Sequence, residues 1–140
     1  MKKLTVEADR DRIEEVLDFV NAEIMSAECE TKALRQIKMA VEEIFLNVCA
    51  YAYGEETGNV ELSLDIDDGG LMTLCFSDSG TPFDPIKKQD PDVHQSGRER
   101  QPGGLGIFMV KKTMDDMFYE YRDGKNTLTI RKRLKQEKTD

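Results

Sequence analysis

The chain has 140 residues, of which 39% are hydrophobic and 34% are charged, and its net charge is −8. A length and an apolar fraction of this size predict one domain, covering residues 1–140, with one sizeable core. The excess of acidic residues counts against a direct nucleic-acid ligand, because such binding needs basic groups that displace counterions. The sequence has no window of about eighteen apolar residues, so no membrane span is predicted.

The first half of the chain predicts a strand, two helices and a hairpin. The strand covers Leu4 to Val6, and the sequence turns polar at Glu7 before any signal-peptide apolar region develops, which predicts a cytoplasmic protein. Thr31 is a candidate N-cap for the second helix. Helical spacing of apolar residues predicts helices over residues 11–28 and 31–54. Strict alternation predicts a strand over residues 60–66, and a tight connection after it leads to a second strand over residues 71–77.

The second half predicts a long loop, a third helix and a second hairpin. Residues 82–103 contain four prolines, many charges and little periodicity, a pattern typical of a functional loop or a disordered segment. A helix over residues 106–115 follows, and then strands over residues 117–121 and 127–133. Together the elements predict an α+β fold, a two-layer sandwich whose mostly antiparallel mixed sheet is covered on one face by three helices.

The second predicted helix carries the first candidate site. Glu43 and Asn47 lie one turn apart on the same helix face, at the border of the apolar stripe. An amide oxygen is a hard ligand that suits Mg²⁺, and a carboxylate one turn away can orient a water or accept a proton from an attacking hydroxyl. Taken alone, the pair also fits an exposed glutamate beside a capping or solvated asparagine.

Two further motifs follow along the chain. Asp78 ends an apolar strand, where its carboxylate can face a cleft and accept a hydrogen bond from a donor such as the exocyclic amine of adenine. Gly80 permits the backbone to turn beneath a flat base. The sequence Gly103-Gly104-Leu105-Gly106 precedes a helix whose free amides can bind an anion. An ordinary Asx-turn and a flexible loop ending are the alternatives for these two motifs.

In this order, three segments resemble the GHKL ATPases with the Bergerat fold, and among them the anti-sigma-factor serine/threonine-protein kinases of bacterial partner-switching systems. The segments are Ala40 to Asn47, Asp78 to Pro85 and Gly103 to Ile107, and Asp115 and Asn126 to Leu128 continue the likeness. The resemblance implies a general base at Glu43 and a Mg²⁺ ligand at Asn47. It also implies residues that contact ATP, namely Asp78, Gly80 and Thr127 around the adenine and Gly104, Leu105 and Gly106 at the phosphates.

The same resemblance implies an activity and partners. The activity is ATP-dependent phosphorylation of a serine on a STAS-type anti-sigma-factor antagonist. A sigma factor as a second partner, and a homodimer, stay open. Residues 82–103 would form a lid that closes over the nucleotide.

Some residues depart from the family pattern. Pro102 stands where certain members place an arginine, and Arg98 and Arg100 lie slightly upstream. Tyr51 stands where many members have histidine. The only histidine of the sequence, His94, falls in the predicted lid. Because Pro102 replaces the arginine before the glycine motif, an alternative stays open. In this alternative the chain is a non-catalytic module that sequesters a sigma factor or another regulator when nucleotide is bound. A detached histidine-kinase catalytic domain is a third alternative, which the short predicted lid does not favour.

Overall fold

The computed structural model describes residues 1–86 and 104–135. In that part of the chain, every helix and strand predicted from the sequence is present, and the bounds differ from the predicted ones by three residues or fewer. A single 3₁₀ turn, Arg10–Arg12, precedes the first helix. The elements in chain order are β1 Lys2–Glu7, α1 Ile13–Met25, α2 Thr31–Tyr51, β2 Asn59–Ile66, β3 Leu71–Asp78, α3 Gly104–Thr113, β4 Asp116–Arg122 and β5 Lys125–Arg133.

Most of the predicted lid lies outside the described residues. The lid was expected over residues 82–103, and the described chain stops at residue 86 and resumes at residue 104. His94, Arg98, Arg100 and Pro102 therefore have no described position.

The strands form one sheet in the order β1-β2-β3-β5-β4, and the four pairings are all antiparallel. The described sheet is thus antiparallel throughout, where the sequence predicted a mostly antiparallel mixed one. The chain leaves β3, passes through α3 to the edge strand β4, and returns through a hairpin to β5. Because β5 fills the place between β3 and β4, Asp78 at the end of β3 is paired with Asn126 near the start of β5.

The core lies between the helices and one face of the sheet. Along β3 every second residue from Met72 to Asp78 is buried, as expected for a strand with one covered face. The buried side of α1 consists of Val16, Val20 and Ile24. Polar side chains stand where this core face ends on β3 and β5, and these side chains belong to the candidate site described below.

The helix α2 supplies the largest part of the helical layer. It begins at Thr31, and its N-cap is Glu30, which has an extended backbone and makes no side-chain capping bond. The prediction of Thr31 as N-cap is therefore wrong by one residue. Within the described helices, none is both long enough and apolar enough to cross a membrane. The buried residues of α2 are Ala33, Ile37, Ala40, Val41, Ile44, Phe45 and Asn47.

The three cysteines, Cys29, Cys49 and Cys75, are free, and all three are half-buried. Burial, reinforced by the charge of Asp9, raises the pKa of Cys49 to about 11. A thiol with a pKa this high is protonated at neutral pH and is a poor nucleophile. Cys49 therefore has the character of a small packing residue.

Candidate functional site

A cleft lies where α2 and α3 meet the paired ends of β3 and β5. Three buried polar side chains, Asn47, Asp78 and Asn126, contribute to its lining, and the rest is mainly apolar. Apolar walls with a few fixed polar groups are the usual composition of a small-molecule site. The apolar lining includes Ile44, Val48, Phe76, Ile107 and Leu128.

Asp78 continues the core face of β3 and is 7% exposed. Its Oδ1 accepts two hydrogen bonds of 2.9 Å, one from the backbone N–H of Gly80 and one from Nδ2 of Asn126. Among the described residues, no donor reaches the second carboxylate oxygen, Oδ2. The aspartate is therefore held in place by the protein itself and keeps one oxygen that can accept a hydrogen bond from a ligand.

Sequence reasoning chose Thr127 for this end of the site and missed Asn126. Side chains alternate between the two faces of a strand, and the cleft is lined by Asn126 and Leu128, the residues on either side of Thr127. Thr127 thus belongs to the opposite face of the sheet and is not part of the described cleft. The signal that could have identified Asn126 is parity, because it lies two residues before Leu128 and four before the core residue Ile130.

Gly80 is required by packing against the end of α2. The carbonyl oxygen of Ala52 accepts a 2.7 Å hydrogen bond from the backbone N–H of Thr81, and a Cβ on Gly80 would overlap that same carbonyl. The sequence reasoning expected Gly80 to leave room for a flat base. The structure gives a different cause, which is that the loop after β3 lies directly on the backbone of α2.

Asn47 is the most unusual buried group of the cleft. Its side chain is 7% exposed, and neither its amide nitrogen nor its amide oxygen has a hydrogen-bond partner among the described residues. Leaving such a group unpaired costs about 1–3 kcal/mol, so its retention needs a reason. An amide oxygen with a free lone pair in a ligand cleft fits the ligand set of Mg²⁺, which prefers oxygen.

Glu43, one turn before Asn47, packs against the first turn of α3. A Cβ on Gly106 would overlap the Glu43 carboxylate, so the absence of a side chain at Gly106 is what allows this contact. Burial, and to a smaller extent the neighbouring charge of Glu42, raise the pKa of Glu43 above its usual value of 4.5. A carboxylate with a raised pKa is a stronger base than an exposed one.

The helix α3 begins two residues earlier than the sequence predicted, at Gly104 instead of Gly106. The backbone amides of its first turn, those of Gly104, Leu105 and Gly106, have no acceptors within the helix and point out of its N-terminal end. This end of α3 lies beside Glu43, and Ile107 in the same turn lines the cleft. The structure therefore brings the described part of the glycine motif, Gly104 to Gly106, beside the α2 motif, and Gly103 lies outside the described residues.

Two aromatic rings close one side of the cleft. Tyr51 at the end of α2 stacks on Phe83, with the ring centroids 5.1 Å apart and the planes inclined by 23°. Both rings contribute to the lining of the cleft. The loop after β3 is thus attached to α2 by this stacked pair as well as by the backbone contact at Gly80.

Comparisons with known proteins agree with this geometry. Residues 6–132 match the family described as the histidine kinase-like ATPase domain. The serine-protein kinase RsbW of Listeria innocua is 33% identical over 98 residues, which cover 66% of this chain and 62% of that protein. The anti-sigma F factor of Clostridium acetobutylicum is 29% identical over 97 residues, which cover 69% of this chain and 67% of that protein. The chain thus spans less than two thirds of the length of the Listeria relative.

A solved structure with the same fold contains the RsbU and RsbW domains of a Mycobacterium tuberculosis protein. It superposes with a TM-score of 0.68 at 13% identity, covering 98% of this chain and 34% of the other. At such low identity the likeness concerns the fold alone. The described sheet and its three helices follow the arrangement seen there.

Proposed function

Because this chain belongs to the histidine kinase-like ATPase domain family, we propose that it binds ATP in the cleft beside α2 and transfers the terminal phosphoryl group to a serine of a small regulatory protein. The observation that carries the proposal is the buried amide of Asn47, which has no partner in the described part of the chain, lies one turn from Glu43 and lines the same cleft as Asp78. The cleft would then hold a metal ligand and a fixed acceptor for a ligand amine, and the base would stand one helical turn before the metal ligand.

Adenine would occupy the apolar end of the cleft. Oδ2 of Asp78 would accept a hydrogen bond from the exocyclic amine of the base, while Oδ1 stays bonded to Gly80 and Asn126. Apolar side chains such as Ile44 and Leu128 would pack against the faces of the ring. Burial of the base gives affinity, and the single polar contact selects the base.

The phosphates would extend toward the N-terminal end of α3. Its first amides, those of Gly104, Leu105 and Gly106, would bind phosphate oxygens without help from a basic side chain. Asn47 would hold Mg²⁺, which supplies charge stabilisation for the phosphates when it is bound. This placement gives the orphaned amide of Asn47 a partner.

Glu43 would act as the general base. The substrate serine hydroxyl attacks the terminal phosphorus, the bond between that phosphorus and the bridging oxygen breaks, and ADP leaves with the bonding electron pair. The hydroxyl proton passes to the Glu43 carboxylate, whose raised pKa suits that task. The products are ADP and a phosphoserine on the partner.

The partner class comes from the relatives. RsbW of Listeria innocua is named a serine-protein kinase, and the Clostridium relative is named an anti-sigma F factor. We therefore propose a STAS-type anti-sigma-factor antagonist as the phosphorylated partner and a sigma factor as a second, non-phosphorylated partner. In this scheme residues 1–140 act as one cytoplasmic domain with a lid over about residues 82–103.

The test is phosphate transfer from radiolabelled Mg-ATP to a candidate antagonist. Wild-type protein is expected to label the antagonist on serine. Glu43→Gln is expected to abolish labelling while ATP affinity, measured by calorimetry, changes little, because glutamine keeps the shape and removes the base. Glu14→Gln removes an equal charge from the exposed side of α1 and serves as the matched control.

Three results would contradict the proposal. Labelling by Glu43→Gln at the wild-type rate would remove Glu43 from the role of base. Partner binding that depends on ATP, without any phosphoserine in the wild-type reaction, would instead support the alternative of a non-catalytic binding module. A wild-type protein that binds no ATP would contradict both.

A further inference from the structure

The side chain of Asn126 makes several hydrogen bonds at the Asp78 end of the cleft. Its side chain is 6% exposed, and Nδ2 donates to Oδ1 of Asp78 at 2.9 Å and to the carbonyl oxygen of Thr81 at 3.0 Å. A longer contact of 3.4 Å joins it to the carbonyl oxygen of Gly80. One amide group therefore ties the aspartate to the loop that follows it.

The other atom of the same amide is equally engaged. Oδ1 of Asn126 accepts a 3.1 Å hydrogen bond from the backbone N–H of Phe83 and a second bond from the hydroxyl of Tyr119 on β4. Burial, with a contribution from nearby acidic groups that includes Asp84, raises the pKa of Tyr119. The phenol is therefore protonated at neutral pH and can donate. With donors and acceptors all satisfied, the amide has one stable orientation.

This orientation decides what the Asp78 carboxylate presents to the cleft. Two donors converge on Oδ1, one from Gly80 and one from Asn126, so that oxygen is occupied. The carboxylate cannot rotate without breaking both bonds. Its acceptor capacity toward a ligand is consequently concentrated on Oδ2, which receives no hydrogen bond from the described residues.

We propose that Asn126 is a positioning residue that makes the cleft selective for a purine with an amino group at position six over one with a carbonyl there. The inference rests on the proposed ATP site. A carboxylate fixed as an acceptor attracts an N–H donor and repels a carbonyl oxygen, so the discrimination depends on Asp78 being held with Oδ2 available. Asn126 contacts Asp78 and the loop, and it affects ligand binding through these two contacts.

The experiment compares ATP with inosine triphosphate, which carries a carbonyl at position six. Calorimetry on the full chain gives the ratio of the two affinities, and circular dichroism confirms folding of each variant. Asn126→Asp keeps the shape of the side chain and replaces the donor by an oxygen facing Oδ1 of Asp78. Loss of one charge-assisted hydrogen bond corresponds to about a 10- to 100-fold fall in the ratio of the affinity for ATP to the affinity for inosine triphosphate.

Two more variants make the result interpretable. Asn126→Ser introduces no charge and is used if Asn126→Asp does not fold, and the same ratio is expected to fall. Thr127→Val, on the opposite face of the same strand, is the matched control and should leave the ratio unchanged. A ratio that stays at the wild-type value in a folded Asn126 variant would overturn the inference.

The design separates this inference from the proposed function. If wild-type protein binds ATP and labels its partner while Asn126 variants keep full selectivity, only the role of Asn126 is wrong. If wild-type protein binds neither nucleotide, the ATP site itself is wrong, and the role of Asn126 is overturned with it. An equal fall in both affinities, with the ratio preserved, would show a structural residue without a part in selectivity.

Discussion

The two ends of the cleft differ in how far their polar groups are satisfied. At the Asp78 end, Asn126 joins the aspartate to the loop and to β4, and Oδ2 of Asp78 is the acceptor left for a ligand among the described residues. At the Asn47 end, a buried amide has no partner among the described residues, and Glu43 has a pKa raised by burial. The first end is built before ligand arrives, and the second retains groups whose satisfaction depends on what binds.

This difference indicates that the Asp78 end of the cleft serves binding of the base and the Asn47 end serves phosphate transfer. Changes at the Asp78 end should alter base selectivity and stability, because bonds already formed would be lost. Changes at the Asn47 end should alter phosphate transfer, and they can even stabilise the free protein, because little is lost when an unpaired polar group is removed. Each of the following variants tests one side of this contrast.

Gly106→Ala is expected to have the largest effect. The new Cβ would overlap the Glu43 carboxylate, so the base must move away from its position beside α3. A displacement of about 1 Å at a reacting group can cost about 100-fold in rate, and a loss of that size in phosphate transfer is expected, with ATP affinity reduced far less. Initial rates at saturating Mg-ATP provide the measurement.

The control for this variant is Gly69→Ala in the β2–β3 turn, where a Cβ would meet Asp67 at an ordinary 3.4 Å. It should transfer phosphate at the wild-type rate. If Gly106→Ala did so too, the contact between α3 and Glu43 would have no part in the reaction.

Gly80→Ala should act on stability, at the other end of the cleft. The added Cβ would overlap the carbonyl of Ala52, which is backbone and already accepts a bond from Thr81. Overpacking of this kind costs about 1–3 kcal/mol. Urea denaturation should show this decrease in the free energy of unfolding, together with weaker ATP binding. An unchanged midpoint would show that the loop can move off α2 without cost.

Asn47→Leu is expected to change stability in the opposite direction. Leucine is close in volume, and it removes two buried polar atoms that have no partner among the described residues. The free protein should gain about 1–2 kcal/mol in its free energy of unfolding, measured without nucleotide. The stabilisation that wild-type protein gains from Mg-ATP should be missing in the variant. A less stable free variant would mean that Asn47 has a structural partner.

Glu42→Gln should give the smallest effect, a shift in pH dependence. The charge of Glu42 contributes to the raised pKa of Glu43, so its removal should lower that pKa. A general base works only when deprotonated, and phosphate transfer should fall as the pH drops through the pKa of Glu43. The acid side of the rate profile should therefore move to lower pH in the variant, and a move to higher pH would contradict this.

The same raised pKa has a stability consequence with a defined sign. A carboxyl whose pKa is higher in the folded than in the unfolded state binds more protons when folded. Its favourable contribution is fully present below the usual pKa of 4.5 and is lost as the pH rises through the raised value. The Glu43 contribution to stability should thus decrease over that interval in wild-type protein and be absent from Glu43→Gln.

Much of the fold could be predicted from the sequence, because apolar periodicity reports directly which face of each element is covered. The strand Asn59–Ile66 follows from strict alternation, the strand Leu71–Asp78 follows from the tight turn before it, and α2 follows from its helical stripe. The helix start was less certain because Glu30 caps α2 without a side-chain bond, so no residue type marks the position. Strand order was not evident, because β5 pairs with β3 across α3 and β4.

The sequence pattern predicted which site residues lie close together only where both residues belong to one helix or strand. Glu43 and Asn47 share a helix, so spacing alone brings them together. The pairing of Asp78 with Asn126 depends on a register between strands far apart in sequence, and no local pattern encodes it. The choice of Thr127 came from resemblance, whereas parity with Leu128 would have pointed to its neighbour. The contact of Gly106 with Glu43 likewise depends on how α3 packs on α2.

The amide of Asn47, unpaired within residues 1–86 and 104–135, also bears on how long the protein would survive in a cell. A buried group without a partner lowers the stability of the nucleotide-free form, and a ligand that binds only the folded state adds about 2.7 kcal/mol when its concentration is 100 times its dissociation constant. Proteases attack the transiently opened chain, whose population falls as stability rises. If the proposed nucleotide site is correct, the nucleotide-free form of this protein would be degraded faster than the nucleotide-bound form.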